Sequence, residues 1–162
     1  MQEKMEKMWA KKLGISKFDI KLFEELINLM IDTKVDYTIF FRELSNIPND
    51  IKNIEKSFYG SSENEDIKLR WNSWLEKWKS LINVNDEESK EKLSNQMKLT
   101  NPKYTLREWH LVWAYQEAQE GNYEPVNELQ EIMTKPYEEQ TKEIEEKYYI
   151  KKPLDFFGIA GI

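Results

Sequence analysis

The sequence predicts an all-α protein of about eight helices, packed as an irregular array around one buried central helix near residues 105–119. Three observations predict this fold class. Apolar residues recur at helical spacing along most of the 162 residues. No useful length of chain alternates apolar and polar residues as a half-buried strand would. Aromatic residues make up 13% of the chain, enough to fill a core although 33% of the residues are charged.

The first third of the chain carries three helical stripes, and residues that favour helix ends lie beside them. Gly14 can adopt the left-handed conformation that ends a helix. Asp19 and Asp36 can each accept a hydrogen bond from a free N–H of a first helical turn. The stripes cover residues 1–13, 19–33 and 37–44, and a short apolar segment follows at 49–58.

The clearest amphipathic pattern runs from Ile67 to Ile82 and places Trp71, Trp74 and Trp78 on one face of a helix. Three aligned tryptophans can form a platform on which a ligand stacks. Tryptophans at helical spacing are far more often part of a core, so a core is the prediction here. A weaker helix is expected after Asp86.

The segment 101–137 is expected to organise the rest. Asn101 is predicted to cap a turn that begins at Pro102, and Thr105 stands at capping-box spacing from Glu108. The residues that follow are apolar on nearly every side, which is typical of a buried helix. Gly121 should end this helix, and the next one should start at Pro125 and close at Lys135-Pro136.

The predicted domain organisation follows from these segments. Residues 1–147 are expected to form a single helical domain that belongs to a longer protein. After Pro136 a Glu-rich helix reaches Lys147. Pro153 and two glycines then predict an extended or loosely ordered tail over residues 148–162.

Three separated motifs resemble one known family. They are MWAKKLGI at 8–15, DYTIFFRELS at 36–45, and NPKYTLRE at 101–108 followed by AQEGNYEPVNELQEIMTKPY at 118–137. Their order and sequence resemble the C-terminal helical region of the selenoprotein O (SelO or YdiU) family of pseudokinase-like protein adenylyltransferases.

The resemblance implies a longer protein that uses ATP and Mg²⁺ to transfer AMP to Ser, Thr or Tyr hydroxyls of protein substrates. The family's nucleotide and metal residues lie in a kinase-like domain, which would be the partner of this chain. Eukaryotic members are mitochondrial and bacterial members cytoplasmic, and the sequence does not choose between them. The alternative is a free-standing helical protein-interaction module without catalytic activity.

The residues themselves predict no catalytic, cofactor-binding or metal-binding position in this chain. The five glycines are not clustered into a phosphate-binding loop. His110 is the only histidine and there is no cysteine, which excludes the usual zinc sites, so a hydrogen-bonded core or boundary histidine is expected. The net charge of −6 argues against nucleic-acid binding. No run of 18 apolar residues predicts a membrane span.

Five residues are candidates for an interface with another domain. Arg42 and Arg107 are flanked by apolar residues and are expected to be half-buried. Each can bond to the carbonyl groups at a helix C-terminus, to a buried carboxylate or to a neighbouring domain. Tyr137, Phe156 and Phe157 lie outside the helical stripes. If the chain docks on another domain, some of these aromatic residues, with Phe41 and Tyr59, should form an exposed apolar patch.

Overall fold

The computed structural model describes residues 1–60 and 63–153. These ranges contain eight α-helices, two 3₁₀ helices and one isolated antiparallel bridge between Val35 and Phe58, which confirms the all-α class. The α-helices are α1 Gln2–Leu13, α2 Ile20–Thr33, α3 Tyr37–Leu44, α4 Glu65–Leu81, α5 Glu87–Thr100, α6 Glu108–Gln119, α7 Glu124–Ile132 and α8 Lys142–Tyr148. The 3₁₀ helices are Ile51–Asn53 and Glu55–Ser57. The chain divides into two compact units, Met1–Asn101 and Pro102–Ile162. The single domain predicted over residues 1–147 stays a prediction.

The predicted helix ends of the first unit are confirmed. The carboxylates of Asp19 and Asp36 accept hydrogen bonds from the backbone N–H groups of Leu22 and Ile39. Asp86 and Ser89 form a capping box at the start of α5. Gly14 ends α1 with φ +69°, a conformation that glycine adopts without the steric penalty of a Cβ atom.

The core of the first unit is built on the three tryptophans of α4, as predicted. Trp71, Trp74 and Trp78 are almost completely buried, and the rings of Trp74 and Trp78 stack within 6° of parallel. The indole N–H of each of these three tryptophans donates a hydrogen bond. The acceptors are the Thr33 hydroxyl and the carbonyl groups of Leu22 and Leu13, at 2.9, 2.9 and 2.7 Å. The tryptophans therefore bury large apolar rings without leaving a buried donor unpaired.

A buried polar cluster ties the start of the first unit to its end. The Lys12 ammonium donates to Asn101 Oδ1 at 2.9 Å. The Asn101 amide donates in turn to the Lys12 carbonyl and to the Ser45 hydroxyl, both at 3.0 Å. Burial lowers the pKa of Lys12. Asn101 follows α5 and ends it, and its side chain is used by this cluster rather than as the predicted cap of a turn at Pro102.

The second unit is held by α6, α7, α8 and the segment before them. The backbone N–H groups of Lys103 and Tyr104 both donate to the Pro136 carbonyl. The buried Lys103 ammonium pairs with the carboxylates of Glu139 and Glu145. The core side chains of this unit are Tyr104, Ala114, Leu129, Ile132, Tyr148 and Tyr149.

The burial predicted for residues 105–119 is wrong. Only His110 and Ala114 of α6 are buried, and Leu111, Trp113 and Tyr115 are exposed. A helix that is apolar on every side gives no direction for packing, and the described residues of the second unit cover only one side of α6. The helix also begins at Glu108 with Arg107 at the N-cap, so the predicted capping box of Thr105 does not start it.

The structure also differs from the predicted tail at its first residues. Tyr148 ends α8, and both Tyr148 and Tyr149 are buried. Their rings fill space beside His110 and Tyr104, which explains why they are not part of a loose tail. The prediction for residues 154–162 lies outside the described residues.

Candidate interaction surface

A helical hairpin in the second unit carries the main candidate site. Gly121 has φ +91° and lies in the turn after α6. The Asn122 backbone N–H donates to the Glu117 carbonyl at 2.9 Å, and the Asn122 side chain donates to the Glu117 carboxylate at 2.8 Å. Pro125 lies in the first turn of α7, where a missing N–H leaves no helical bond unmade. These local contacts fix the turn that brings α6 and α7 together.

One side of this hairpin forms an open apolar groove with a volume of about 930 Å³. We call it the α6–α7 groove. Ala114 and Leu129 are buried and form its floor. Its walls include large apolar side chains that remain in contact with solvent, with Tyr115 at 65% exposed and Leu106 at 59%. The wall side chains are Leu106, Leu111, Tyr115, Val126 and Met133.

The α6–α7 groove is almost without charge. Of its fourteen lining residues only Glu108 is charged, although 33% of the whole chain is charged. The rim is provided by the neutral side chains of Gln116, Gln119, Gln130 and Thr134. The other carboxylates of these two helices lie outside the lining. A region depleted of charge, with apolar walls, is typical of the centre of a protein interface.

The other side of the hairpin is closed by α8. The Tyr148 hydroxyl donates to the Glu128 carboxylate at 2.6 Å, and Lys147 pairs with the same carboxylate at 3.0 Å. Burial, and then the bond to Glu128, raises the pKa of Tyr148 well above its usual range. The Tyr148 ring packs edge-on against His110, and Trp113 lies beside it. The α6–α7 groove is therefore the open side of a hairpin whose opposite side is already packed.

His110 is buried as expected, but the hydrogen bond expected for it is absent. The side chain is 3% exposed, and neither ring nitrogen has a hydrogen-bond partner among the described residues. The imidazole is instead packed between the rings of Trp109 and Tyr148. Burial, followed by the positive charge of Arg107, lowers the pKa of His110 to about 4. The neutral imidazole acts here as an aromatic side chain.

This environment predicts a pH-dependent stability. The pKa of His110 is about 4 in the folded chain and about 6.5 in an unfolded one, so protons bind more tightly to the unfolded state. This difference in pKa contributes up to about 3 kcal/mol to the free energy of unfolding. The contribution is fully present above pH ~6.5 and is lost as the pH falls towards 4. Denaturant titrations between pH 7 and 4 measure it. The His110→Leu variant should lose this part of the pH dependence, and an unchanged slope in the variant would contradict it.

The predicted interface residues are placed differently from one another. The Arg42 side chain is 2% exposed and donates to the carbonyl groups of Lys98 and Asn101, both at 3.1 Å. This confirms the bonds to carbonyls at a helix C-terminus and leaves almost no surface for another domain. Arg107 is half-buried at the start of α6, and Tyr137 is 43% exposed. Their role in an interface stays a prediction.

Two of the remaining aromatic candidates lie in the described part of the chain, and neither is an exposed side chain. Phe41 is buried, and Tyr59 is half-buried with its hydroxyl donating to Asp36 at 3.3 Å. Phe156 and Phe157 lie outside the described residues. Within residues 1–60 and 63–153, an exposed apolar surface lies at the α6–α7 groove, which the sequence pattern does not predict. Leu111, Tyr115 and Ala118 stand at i, i+4 and i+7, so the helical spacing is present, but it predicts a buried helix as readily as an open groove.

The described residues show neither a grouped set of metal ligands nor a helix suited to a membrane. Across residues 1–60 and 63–153, no three His, Cys, Asp or Glu side chains are grouped to hold a metal ion. Among the helices described, none combines the length and hydropathy needed to cross a membrane. The α6–α7 groove is accordingly the feature with the strongest claim to a function in the described part of the chain.

Comparison with known proteins supplies the family. The family model described as "Protein adenylyltransferase SelO" matches residues 1–134. A "Protein nucleotidyltransferase YdiU" of Pseudomonas fluorescens is 31% identical over 140 residues, which is 85% of this chain and 27% of that protein. The proteins of the same name from Flavobacterium johnsoniae and Vibrio parahaemolyticus are 32% and 30% identical. They are matched over 90% and 96% of this chain.

The matched relatives are much longer than this chain. It spans 29% of the Flavobacterium protein and 32% of the Vibrio protein. The match nevertheless runs through both units of the chain, since the family model extends from residue 1 to residue 134. The chain therefore belongs to the SelO family of protein adenylyltransferases.

Proposed function

We propose that this chain is the C-terminal helical part of a longer SelO-type protein that transfers AMP from ATP to Ser, Thr or Tyr hydroxyls of proteins. In this proposal the chain supports a kinase-like catalytic domain, which is its direct partner. ATP and Mg²⁺ belong to that domain, and the protein substrates are substrates of the whole protein.

The observation that carries the proposal is the coverage of the relatives. Nearly the whole chain aligns with proteins named nucleotidyltransferases, yet the alignment takes up between 27% and 32% of those three proteins. Phosphoryl-group chemistry needs groups that hold phosphates and metal ions, such as a glycine-rich loop, a lysine and carboxylates. The described residues offer helices, two packed cores and an apolar groove. Such a part can brace a catalytic domain or shape access to it.

A free-standing interaction module is the second candidate, and the closed core of the first unit favours it. All three tryptophans of α4 are buried and hydrogen-bonded within residues 1–101, so this core needs no second domain to complete it. A chain with such a core can fold alone and bind partners through the α6–α7 groove.

The reading frame upstream of Met1 separates the two candidates. The proposal expects an open frame that encodes a kinase-like glycine-rich loop and a metal-binding Asp/Asn pair. The protein made from that frame should transfer AMP to a protein substrate in the presence of Mg²⁺ and labelled ATP. A stop codon with a promoter directly upstream of Met1 would contradict the proposal and support the free-standing module.

A further inference from the structure

Among the described residues, the α6–α7 groove leaves a contiguous apolar surface uncovered. Its walls expose Leu106, Leu111 and Tyr115 beside the buried floor of Ala114 and Leu129. Exposed contiguous apolar surface of this kind marks an interaction site in soluble proteins. On the opposite side of the hairpin, α8 already packs against the same two helices through Tyr148.

The residues that line the groove also determine what kind of surface can bind there. A charged partner helix would have to match a surface on which thirteen of fourteen residues are uncharged. Burying an unpaired charge there is unfavourable. The amides of Gln116, Gln119 and Gln130 at the rim can donate to and accept from uncharged polar groups. The occupant that fits is an apolar ridge, such as one face of a helix, with neutral polar groups along its edges.

We infer that the α6–α7 groove is the surface on which the remainder of the longer protein docks, through an apolar and uncharged ridge. The inference rests on the proposed function. The length of chain outside this one supports it, because the three relatives named above are matched over no more than 32% of their length. A ridge in the same polypeptide is present at an effective concentration of the order of millimolar. It therefore outcompetes a second copy of the chain at micromolar concentration.

Cysteine labelling tests this inference, because the chain has no cysteine of its own. The Tyr115→Cys variant places one thiol in the groove wall, and Tyr123→Cys places one at an exposed position outside the lining. Both variants are made in the 162-residue chain and in the protein encoded by the continuous upstream frame. Labelling with a maleimide is followed at each position by mass spectrometry of the peptides.

In the 162-residue chain both thiols should react at similar rates. In the longer protein the rate at position 115 should fall by about tenfold or more, as for a site covered at least nine-tenths of the time. The rate at position 123 should not change. Equal rates at position 115 in the two proteins would overturn the inference.

Two other occupants give distinct results, and each would also overturn it. Protection at position 115 in the 162-residue chain that is independent of concentration would show that the chain covers its own groove, with residues 154–162 as the available segment. Protection that grows with concentration would show a second copy. AMP transfer by the longer protein is measured in parallel. Protection without AMP transfer would sustain the docking surface and remove the proposed activity, and AMP transfer without protection would do the reverse.

Discussion

Replacing Trp78 with alanine should destabilise the first unit by about 3–5 kcal/mol. The side chain is completely buried, stacks on Trp74 and donates its indole N–H to the Leu13 carbonyl at 2.7 Å. The substitution removes that packing, leaves a cavity and deprives the carbonyl of its donor. Urea unfolding followed by circular dichroism measures the loss.

The matched control lies on the same helix. Leu69 is 67% exposed on α4, so Leu69→Ala should change the free energy of unfolding by less than ~0.5 kcal/mol. If the two variants were equally stable, α4 would not face the core as described. The intermediate variant Trp78→Phe keeps a ring and loses only the donor and part of the volume. The stability of Trp78→Phe should fall between those of the Trp78→Ala and Leu69→Ala variants.

Replacing Asn101 with leucine should cost about 3 kcal/mol in the free energy of unfolding, although leucine is similar in size. The Lys12 ammonium would lose the acceptor that it has at 2.9 Å while remaining buried. The Ser45 hydroxyl and the Lys12 carbonyl would each lose a donor. Thermal and urea unfolding measure the change, and Asn46→Leu, at an exposed asparagine, serves as the control.

A double-mutant cycle shows whether the buried cation causes this loss. Adding Lys12→Met to Asn101→Leu removes the unpaired ammonium, so the double variant should be more stable than the sum of the two single losses predicts, by an interaction energy of about 0.5–3 kcal/mol. Strictly additive effects of the two substitutions would show that the Lys12 and Asn101 side chains do not interact, which would contradict the hydrogen bond described between them. The cluster spans 89 residues of sequence, so such additivity would also question how the two ends of the first unit are joined.

The helices of the first unit could be predicted because each carries a one-sided pattern and a distinct end. The three tryptophans of α4 share one face with Leu75, so the direction of packing is contained in their spacing. Asp19, Asp36 and Asp86 are short acceptors that directly precede helical segments, where their side chains can reach the free N–H groups of the first turn. Local chemistry decided these positions.

The contacts that depend on distant residues could not be predicted in this way. Asn101 precedes a proline and has the features of a helix cap, yet its side chain bonds to Lys12 and Ser45. The sequence predicts a half-buried Arg42 and leaves its partner open, whereas the fold buries the side chain and places the carbonyl groups of Lys98 and Asn101 within reach. Spacing along one element does not reveal which other element lies against it.

The α6–α7 groove could not be predicted from the sequence for a related physical reason. In α6, apolar residues occupy nearly every side, and such a helix can be fully buried or can hold one face for a partner outside the chain. Both arrangements remove the same side chains from water once the partner is bound. The sequence of this chain alone contains no signal that separates them. The structure does so by showing Tyr115 and Leu106 exposed while Ala114 is covered.

Calorimetric titration with MgATP tests most directly whether this chain is a helical support that does not itself hold a nucleotide. The 162-residue chain should show no binding heat up to millimolar ATP, while the longer protein proposed above should bind. Saturable binding of ATP by the 162-residue chain would contradict the account.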